Sequence, residues 1–274
     1  MSDYQSNLSL AEAARLIRPA QRVLITTHAK PDGDAYGSVA AMTAGLRTIK
    51  PQAQIDGVLM GPILPTFRRL RGFGQLREHE AGMDLGKPDL VIILDTGAWV
   101  QVAPLRSALE PLTDRTLIVD HHLTGDIPAR HRVIDGAAAA ACCIVVELLD
   151  ALMGVDALAR AEGDEPNALI RDVGIAESLF AGVASDTGWF RFSNTTDRTH
   201  LLAARLMKSG IDQAELYAKL EQNERLEKLA LQVRAMRSMK LLAGGRAAVM
   251  ILRASDFAET GAHVEETERF VDIP

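Results

Sequence analysis

The sequence is poor in cysteine and in aromatic residues. Two of its 274 residues are cysteines, and 4% are aromatic. Cys142 and Cys143 are adjacent, and neighbouring helical residues point about 100° apart, so a bond between them would be strained. We expect both to be buried thiols in a reducing compartment. The few aromatic residues argue against rows of stacking platforms for a long single strand of nucleic acid.

Long apolar runs and an excess of positive charge are also missing. No run approaches the roughly 20 apolar residues of a membrane span, and the polar segment from Met1 to Ser6 has no signal-peptide core. We therefore expect a cytoplasmic protein that does not bind membranes. The net charge of −6 makes a long duplex an improbable ligand, so a nucleotide would be held locally by metals and a few basic groups. The length suits one large domain or two smaller ones.

Strand and helix signals alternate over the first part of the chain. Apolar runs predict strands at 23–27, 55–60, 90–94, 116–119 and 132–134, and helices at 8–17, 35–48 and 137–152. Ser9 and Glu12 have the spacing of a capping box for the first helix. This alternation predicts an α/β fold, with a parallel sheet that carries helices on both faces.

From about residue 167 the pattern becomes mostly helical. Helices are predicted at 169–185 and 197–208, and the charged segment 212–239 is predicted to form two helices or one bent connector. Two apolar runs around Gly244 and Gly245 predict a β-hairpin. One hairpin and a short tail are too small for an independent core. A polar loop is predicted at 161–166.

Potential metal ligands follow four of the apolar segments. In chain order they are His28, Asp32 and Asp34, then Asp95, then Asp120, His121 and His122, and finally Asp186. Ligands at the ends of several core elements can meet at one edge of an α/β sheet. Carboxylates and imidazoles without cysteine suit Mn²⁺, Fe²⁺, Zn²⁺ or Mg²⁺ and argue against a structural zinc. Their number suits two metals about 3.5–4 Å apart, which need a bridging carboxylate and activate water. Asp95, alone at its strand end, is the natural bridge.

Each motif alone has an ordinary structural interpretation. Asp32 or Asp34 could cap a helix, and His121 could be a structural histidine. The Asp-Thr-Gly sequences that begin at Asp95 and Asp186 could be simple turns. Their coincidence at the ends of four core elements favours a shared site.

The same residues resemble the four motifs of the DHH phosphoesterase superfamily. These are His28-x-x-x-Asp32-x-Asp34, Asp95, Asp120-His121-His122 and the segment from Asp186 to Thr196, in the expected order over about residues 20 to 200. The last segment resembles the branch of nanoRNases and pAp phosphatases, which hydrolyse very short oligonucleotides and 3′-phosphoadenosine 5′-phosphate (pAp).

The resemblance implies a domain organisation. Residues 1–196 would form the DHH catalytic domain, 197–238 a helical linker, and 239–274 the start of a DHH-associated domain. Members of this branch end that second domain with a Gly-rich segment followed by His, which holds the far end of the substrate. No Gly-Gly-Gly-His occurs among these residues. We therefore expect the second domain to be incomplete.

The resemblance also implies a metal centre. His28 and Asp32 would bind a first metal, Asp34, His121 and Asp186 would bind a second, and Asp95 would bridge them. The cofactors would be two divalent ions, Mn²⁺ first, with Mg²⁺, Fe²⁺ or Co²⁺ as alternatives.

Further residues are implied to contact or support the substrate. Asp120 would orient a histidine through its ring N–H, and His122 would contact the scissile phosphate and stabilise charge in the transition state. Arg191 and Asn194 would lie near a substrate phosphate or sugar, a surface salt bridge being the alternative for Arg191. Ser38, near the start of a helix, would add a weaker contact.

We therefore expect a two-metal phosphodiesterase or phosphatase acting on short RNA oligonucleotides or nucleotides. A manganese pyrophosphatase is an alternative, but its first motif usually has Asn where this chain has Lys30. A long-strand exonuclease would be larger. A non-catalytic nucleotide-binding module would be expected to lose ligands, and all are present. A homodimer is compatible with this class, because dimers are common among soluble oligomers.

Overall fold

The computed structural model describes residues 4–61, 63–155 and 165–273. They divide into two compact units, Met1–Leu216 and Tyr217–Pro274. The predicted loop at 161–166 lies mostly outside the described residues. The predicted domain limits at 196 and 238 stay a prediction.

The first unit is built on a six-stranded sheet. Its strands are β1 (Arg22–Thr26), β2 (Gln54–Leu59), β3 (Arg77–Glu78), β4 (Leu90–Leu94), β5 (Thr116–Asp120) and β6 (His131–Ile134). The strand order is β3-β2-β1-β4-β5-β6, and every neighbouring pair is parallel. The chain winds outward from β1 to β3 and then crosses back to β4, so β1 and β4 flank the switch point at which open α/β sheets bind ligands. The predicted parallel α/β fold is confirmed. The two-residue β3 was not predicted, since so short a strand has no readable periodicity.

Helices and apolar loops cover both faces of this sheet. The helices of the first unit are α1 (Leu10–Ile17), α2 (Gly33–Ile49), α3 (Arg106–Leu109), α4 (Ala141–Leu152), α5 (Val173–Asp186) and α6 (Asp197–Met207). Ser9 and Glu12 form the predicted capping box of α1. On one face Val91 and Ile93 of β4 pack with Leu105 and Leu109 around α3. Helices α1, α2, α4 and α5 pack against one another and form the other layer.

Two glycines let α2, α4 and α5 approach closely. A Cβ at Gly37 of α2 would overlap the Ser178 carbonyl of α5, and one at Gly182 of α5 would overlap the Cys142 thiol of α4. The small residues at these positions admit the neighbouring helices. This contact brings the first turn of α2 beside the last turn of α5, where Asp34 and Asp186 lie.

Helix α4 begins later than expected. The sequence predicts a helix from residue 137, but α4 starts at Ala141. Asp135 accepts hydrogen bonds from the amide of Ala137 through its side chain and from the amide of Ala138 through its carbonyl. These bonds form a turn, and they delay the helix until that turn is complete.

The charged segment after residue 212 forms two helices, which was one of the two predicted alternatives. Helix α7 (Gln213–Glu221) crosses the limit between the units, and α8 (Leu226–Arg237) lies in the second unit. The predicted hairpin is confirmed as β7 (Lys240–Leu242) and β8 (Ala247–Val249), which pair antiparallel. It is followed by α9 (Ala254–Thr260) and a 3₁₀ helix at Val264–Asp272. The small core of this unit contains Leu231, Ala235, Ala262 and Phe270.

None of the helices in the described ranges combines the length and the apolar character that a bilayer span requires.

Candidate functional site

Asp95 lies at the centre of the candidate site. It directly follows β4 and is 2% exposed. One carboxylate oxygen, Oδ2, is 3.4 Å from Nε2 of His28, and the other, Oδ1, is 3.4 Å from Nε2 of His121. Within the described residues Oδ1 is buried without a hydrogen-bond partner. The backbone of Asp95 has φ of +60°, a conformation uncommon outside glycine that is often found at functional sites. Asp95 thus has the position expected of a bridging ligand.

The two flanking histidines each turn Nε2 toward the carboxylates. Nδ1 of His28 lies 3.0 Å from the carbonyl oxygen of Ala29, and Nδ1 of His121 lies 3.3 Å from that of Ala138. A carbonyl oxygen only accepts hydrogen bonds, so Nδ1 carries the proton in both rings. When either ring is neutral, its Nε2 lone pair is then directed to the cluster. A backbone carbonyl that fixes the tautomer in this way is usual for metal-binding histidines.

Asp34 is held by the N-terminus of α4. It is 1% exposed, and its carboxylate accepts hydrogen bonds from the amides of Ala141 at 2.5 Å and Cys142 at 2.9 Å. The capping residue of α4, Ala140, has no side-chain acceptor of its own. Asp34 therefore satisfies the free amides of that helix, and the helix dipole favours its charge. Burial raises the pKa of Asp34, and the charges of Asp95 and Asp186 add to this effect.

Asp32 and Asp186 complete the acidic part of the cluster. Asp32 caps α2, because its Oδ1 accepts from the amides of Asp34 and Ala35 at 3.0 Å each. Its capping role does not exclude metal binding, since Oδ1 also lies 3.9 Å from Nε2 of His28. Asp186 ends α5, and its Oδ2 lies 3.8 Å from Nε2 of His121. Burial raises the pKa of Asp186 to about 6, which His121 opposes and Asp95 supports.

Three groups of residues could each hold a metal ion. They are His28, Asp32 and Asp95; Asp34, His121 and Asp186; and Asp95, His121 and His122, with the ligand atoms of each group within 4.8 Å of one another. The first two groups bring together residues that the family resemblance assigns to a first and to a second metal. In the third, Nδ1 of His122 is already bonded to Asp120 at 2.8 Å.

The charge balance of the cluster fits divalent cations. Among the residues that the structure describes, no lysine or arginine forms an ion pair with Asp32, Asp34, Asp95 or Asp186. Burial alone would lower the pKa of His28 and His121, but the adjacent carboxylates outweigh it and raise both to about 9. The same histidines hold the pKa of Asp95 below its ordinary value in spite of burial. Protons thus occupy the place that cations would take.

Asp120, predicted to orient a histidine, contacts His122. It is fully buried, and its Oδ1 accepts from Nδ1 of His122 at 2.8 Å and from the His122 amide at 3.1 Å. The side chain of His122 is 49% exposed. The hydrogen bond that His122 donates to Asp120 is the main cause of a raised pKa at His122. Because Asp120 engages Nδ1, Nε2 is the ring atom left for a substrate.

A left-handed turn carries the last predicted segment. Gly188, Trp189 and Phe190 have φ of 54°, 58° and 64°. The hydroxyl of Thr187 accepts from the amide of Phe190 at 3.0 Å and donates to the carbonyl of Val183 at 2.6 Å. Arg191 is exposed, and its Nε donates to the carbonyl of Gly188 at 2.6 Å. The turn therefore presents Arg191 a few residues beyond Asp186.

The other two predicted substrate residues bond to the backbone. Nδ2 of Asn194 donates to the carbonyl oxygens of Asp186 and Ala139, each at 3.1 Å, and so ties the last segment to the start of α4. Helix α2 starts at Gly33, so Ser38 lies in its second turn, fully buried, and donates to the Ala35 carbonyl at 3.1 Å. Substrate contacts by Asn194 and Ser38 stay predictions.

The sequence did not indicate Tyr4, whose hydroxyl donates to Oδ2 of Asp120 at 2.6 Å. No local pattern marks it, because the two residues are 116 positions apart. The contact of Asp34 with α4 was also missed. It had one local signal, the absence of a capping side chain before an Ala-rich helix.

Comparisons with known proteins show which chains this sequence resembles. A family model described as the DHH family, N-terminal domain, matches residues 22–183. The chain is 28% identical over 199 residues to the bifunctional oligoribonuclease and PAP phosphatase NrnA of Thermus thermophilus, covering 73% of this chain and 53% of that protein. It is 27% identical over 240 residues to the protein of the same name from Bacillus subtilis, covering 88% of this chain and 69% of that protein. The chain thus spans about half of the first relative.

Two solved structures resemble the fold. An exopolyphosphatase-related protein from Bacteroides fragilis has a TM-score of 0.83 at 18% identity, covering 100% of this chain and 78% of that one. A putative family II inorganic pyrophosphatase from Methanococcus jannaschii has a TM-score of 0.51 at 17% identity, covering 86% and 75%. At these identities the likeness concerns the fold alone.

Proposed function

The chain belongs to the DHH family, and on that premise we propose that it is a two-metal phosphoesterase acting on short oligoribonucleotides, on pAp, or on both. The named activities of the curated relatives from Thermus thermophilus and Bacillus subtilis support this substrate class. We further propose the catalytic domain at 1–196, the helical linker at 197–238 and the start of the associated domain at 239–274.

The placement of Asp95 carries the proposal. A buried carboxylate lies between two histidines, and one of its oxygens has no hydrogen-bond partner among the described residues. Leaving a buried charged group unsatisfied is costly. A cation on each side of Asp95 would remove that cost, which is the arrangement of a carboxylate shared by two metals.

The ligand sets divide on either side of this carboxylate. His28 and Asp32 would hold one ion with Asp95, while Asp34, His121 and Asp186 would hold the other. Carboxylate and imidazole donors suit Mn²⁺ first, with Mg²⁺, Fe²⁺ or Co²⁺ as alternatives. Bound divalent ions would supply Lewis acidity and lower the pKa of water at the site.

The remaining residues would position the phosphate. Asp120 holds the ring of His122 by Nδ1, so Nε2 of the protonated ring can donate a hydrogen bond to a phosphate oxygen as charge develops there. Arg191, fixed to the carbonyl of Gly188, would bind a non-bridging phosphate oxygen. Asn194 would hold the segment that carries Arg191 against α4.

The proposal is tested by assaying the purified chain with Mn²⁺ on pApA, pAp and pyrophosphate in parallel. We expect AMP from pApA, AMP and phosphate from pAp, or both, and complete loss after chelation of the metal. Phosphate from pyrophosphate alone would instead identify a pyrophosphatase. No product from any of the three would show that the chain lacks the proposed activity.

A further inference from the structure

The ring of Tyr4 fills a slot between two loops of the candidate site. Tyr4 is 6% exposed. A Cβ at Gly97, in the loop after β4, or at Gly125, in the loop after β5, would overlap the tyrosine ring. The first loop carries Asp95 and the second carries His121 and His122. Two glycines thus make room for a side chain that comes from the start of the described chain.

The segment that delivers Tyr4 is fixed along the edge strand β6. Asn7 accepts from the amide of Arg132 and donates to the carbonyl of Arg130, each at 2.8 Å. The hydroxyl of Ser6 bonds to the carbonyl of Ile134 at 2.8 Å. These bonds hold the backbone two and three residues after Tyr4 against β6, so the approach of Tyr4 to the site is fixed from that side.

The hydroxyl of Tyr4 fixes the carboxylate of Asp120. It donates to Oδ2 at 2.6 Å, while Oδ1 receives both bonds from His122. Asp120 is fully buried, so water does not replace a lost partner without a local rearrangement. Because Tyr4 binds one oxygen and His122 binds the other, the carboxylate is held in a single orientation. In that orientation Oδ1 accepts the hydrogen bond from the His122 ring.

We propose that Tyr4 is a positioning residue for phosphoester hydrolysis, acting through Asp120 to keep Nε2 of His122 aimed at the substrate phosphate. This inference rests on the proposed function, and on the role that it gives to His122. Tyr4 contacts neither substrate nor metal in this arrangement. Its loss should therefore lower the rate of the chemical step and leave metal binding intact.

Two variants that each remove one buried hydroxyl provide the test. Tyr4→Phe keeps the ring that fills the slot beside Gly97 and Gly125 and removes the bond to Asp120. Tyr36→Phe is the matched control, because Tyr36 is also buried and its hydroxyl donates to the carbonyl of Arg71 at 3.1 Å, with no link to Asp120.

We expect Tyr4→Phe to lower kcat about tenfold, the effect typical of losing a residue that orients a functional histidine. The KM should stay within about twofold, since the contact matters in the transition state. Mn²⁺ stoichiometry should be unchanged. In protein with ¹⁵N-labelled histidine, the Nδ1–H resonance of His122, assigned by its absence from His122→Ala, should shift or broaden. Tyr36→Phe should leave kcat and this resonance unchanged.

Three results would overturn the inference: an unchanged kcat and resonance in Tyr4→Phe, an equal loss in Tyr36→Phe, or a loss of bound Mn²⁺ in Tyr4→Phe. A wild-type chain without turnover on any substrate would refute the proposed function instead. The resonance of His122 would still decide whether Tyr4 positions that ring.

Discussion

Two buried carboxylates in the first unit have opposite surroundings. Asp150 of α4 is fully buried, and both of its oxygens bond to the guanidinium of Arg205 at 2.6 Å, while Asn167 donates to Oδ1 at 2.5 Å. Both oxygens of this carboxylate are thus satisfied, by a two-bonded ion pair and a further donor. It joins α4 to α6.

Per carboxylate, the cluster around Asp95 has fewer hydrogen-bond donors and positive charges than Asp150 has. Four carboxylates face two histidines, and Oδ1 of Asp95 lacks a hydrogen-bond partner among the described residues. Both regions lie within the same packed unit, so burial alone does not separate them. What separates them is the source of the counter-charge: Asp150 faces the permanent charge of a guanidinium, whereas the carboxylates around Asp95 face two histidines whose protons a bound cation would replace. Sites of this kind trade stability for function.

Removing the charge of Asp95 should have the largest effect on activity. Asp95→Asn keeps the shape and tolerates the left-handed backbone, but it removes the charge that both metals would share. We expect turnover of pApA or pAp to fall at least ~1,000-fold, as when a central electrostatic group is lost. The same change at the exposed Asp84 should have no effect. Activity within about tenfold of wild type would contradict a bridging role.

Breaking the ion pair between Asp150 and Arg205 should lower the stability of the fold and leave metal binding unchanged. Asp150→Asn leaves the guanidinium of Arg205, whose side chain is 13% exposed, without its charge partner. We expect the free energy of unfolding to fall by about 3 kcal/mol in urea titrations. Mn²⁺ stoichiometry should not change. A loss below about 1 kcal/mol would show that the pair between Asp150 and Arg205 contributes no more than an exposed salt bridge.

Asp186→Asn should raise the free energy of unfolding of the metal-free protein, whereas Asp150→Asn should lower it. The pKa of Asp186 is raised to about 6, so the folded state binds more protons than the unfolded state between the ordinary pKa and that value. The wild type thus loses stability as pH rises through this window, and the variant does not. We expect the metal-free variant to be more stable by up to about 3 kcal/mol at neutral pH, and equal to wild type below about pH 4. Destabilisation at neutral pH would contradict the electrostatic account.

Arg191→Ala should have the smallest effect. Arg191 is exposed and tied to Gly188 at one nitrogen, so its phosphate contact would be partly screened by water. We expect KM to rise about fivefold with the number of bound metals unchanged. An unchanged KM would assign Arg191 to the surface and restrict substrate positioning to the metals and His122.

The sequence predicts which residues meet at the candidate site better than it predicts the contacts that hold those residues in place. His28, Asp95 and His121 could be identified because each ends an apolar run, and parallel strands end at one edge. The supports are long-range: Tyr4 meets Asp120, and Asp34 meets the amides of Ala141 and Cys142, across more than a hundred residues. Such contacts depend on tertiary packing, which no local pattern records.

In the fold, too, local features could be predicted from the sequence and long-range ones could not. Strands β1, β4 and β5 could be predicted, because buried parallel strands are continuous apolar runs. The strand order and the two-residue β3 could not, since the first depends on connections through space and the second is too short. The start of α4 was misplaced because alanine favours helix wherever it occurs, while the turn bonds of Asp135 decide where the helix begins.

We propose that the carboxylates of this cluster bind two divalent cations. Calorimetric titration of the metal-free protein with Mn²⁺ near neutral pH tests it directly. We predict two ions bound per chain, with proton release into the buffer, because His28 and His121 have a pKa of about 9 without metal and must lose their protons on binding. Binding of one ion or none, or binding without proton release, would contradict the account.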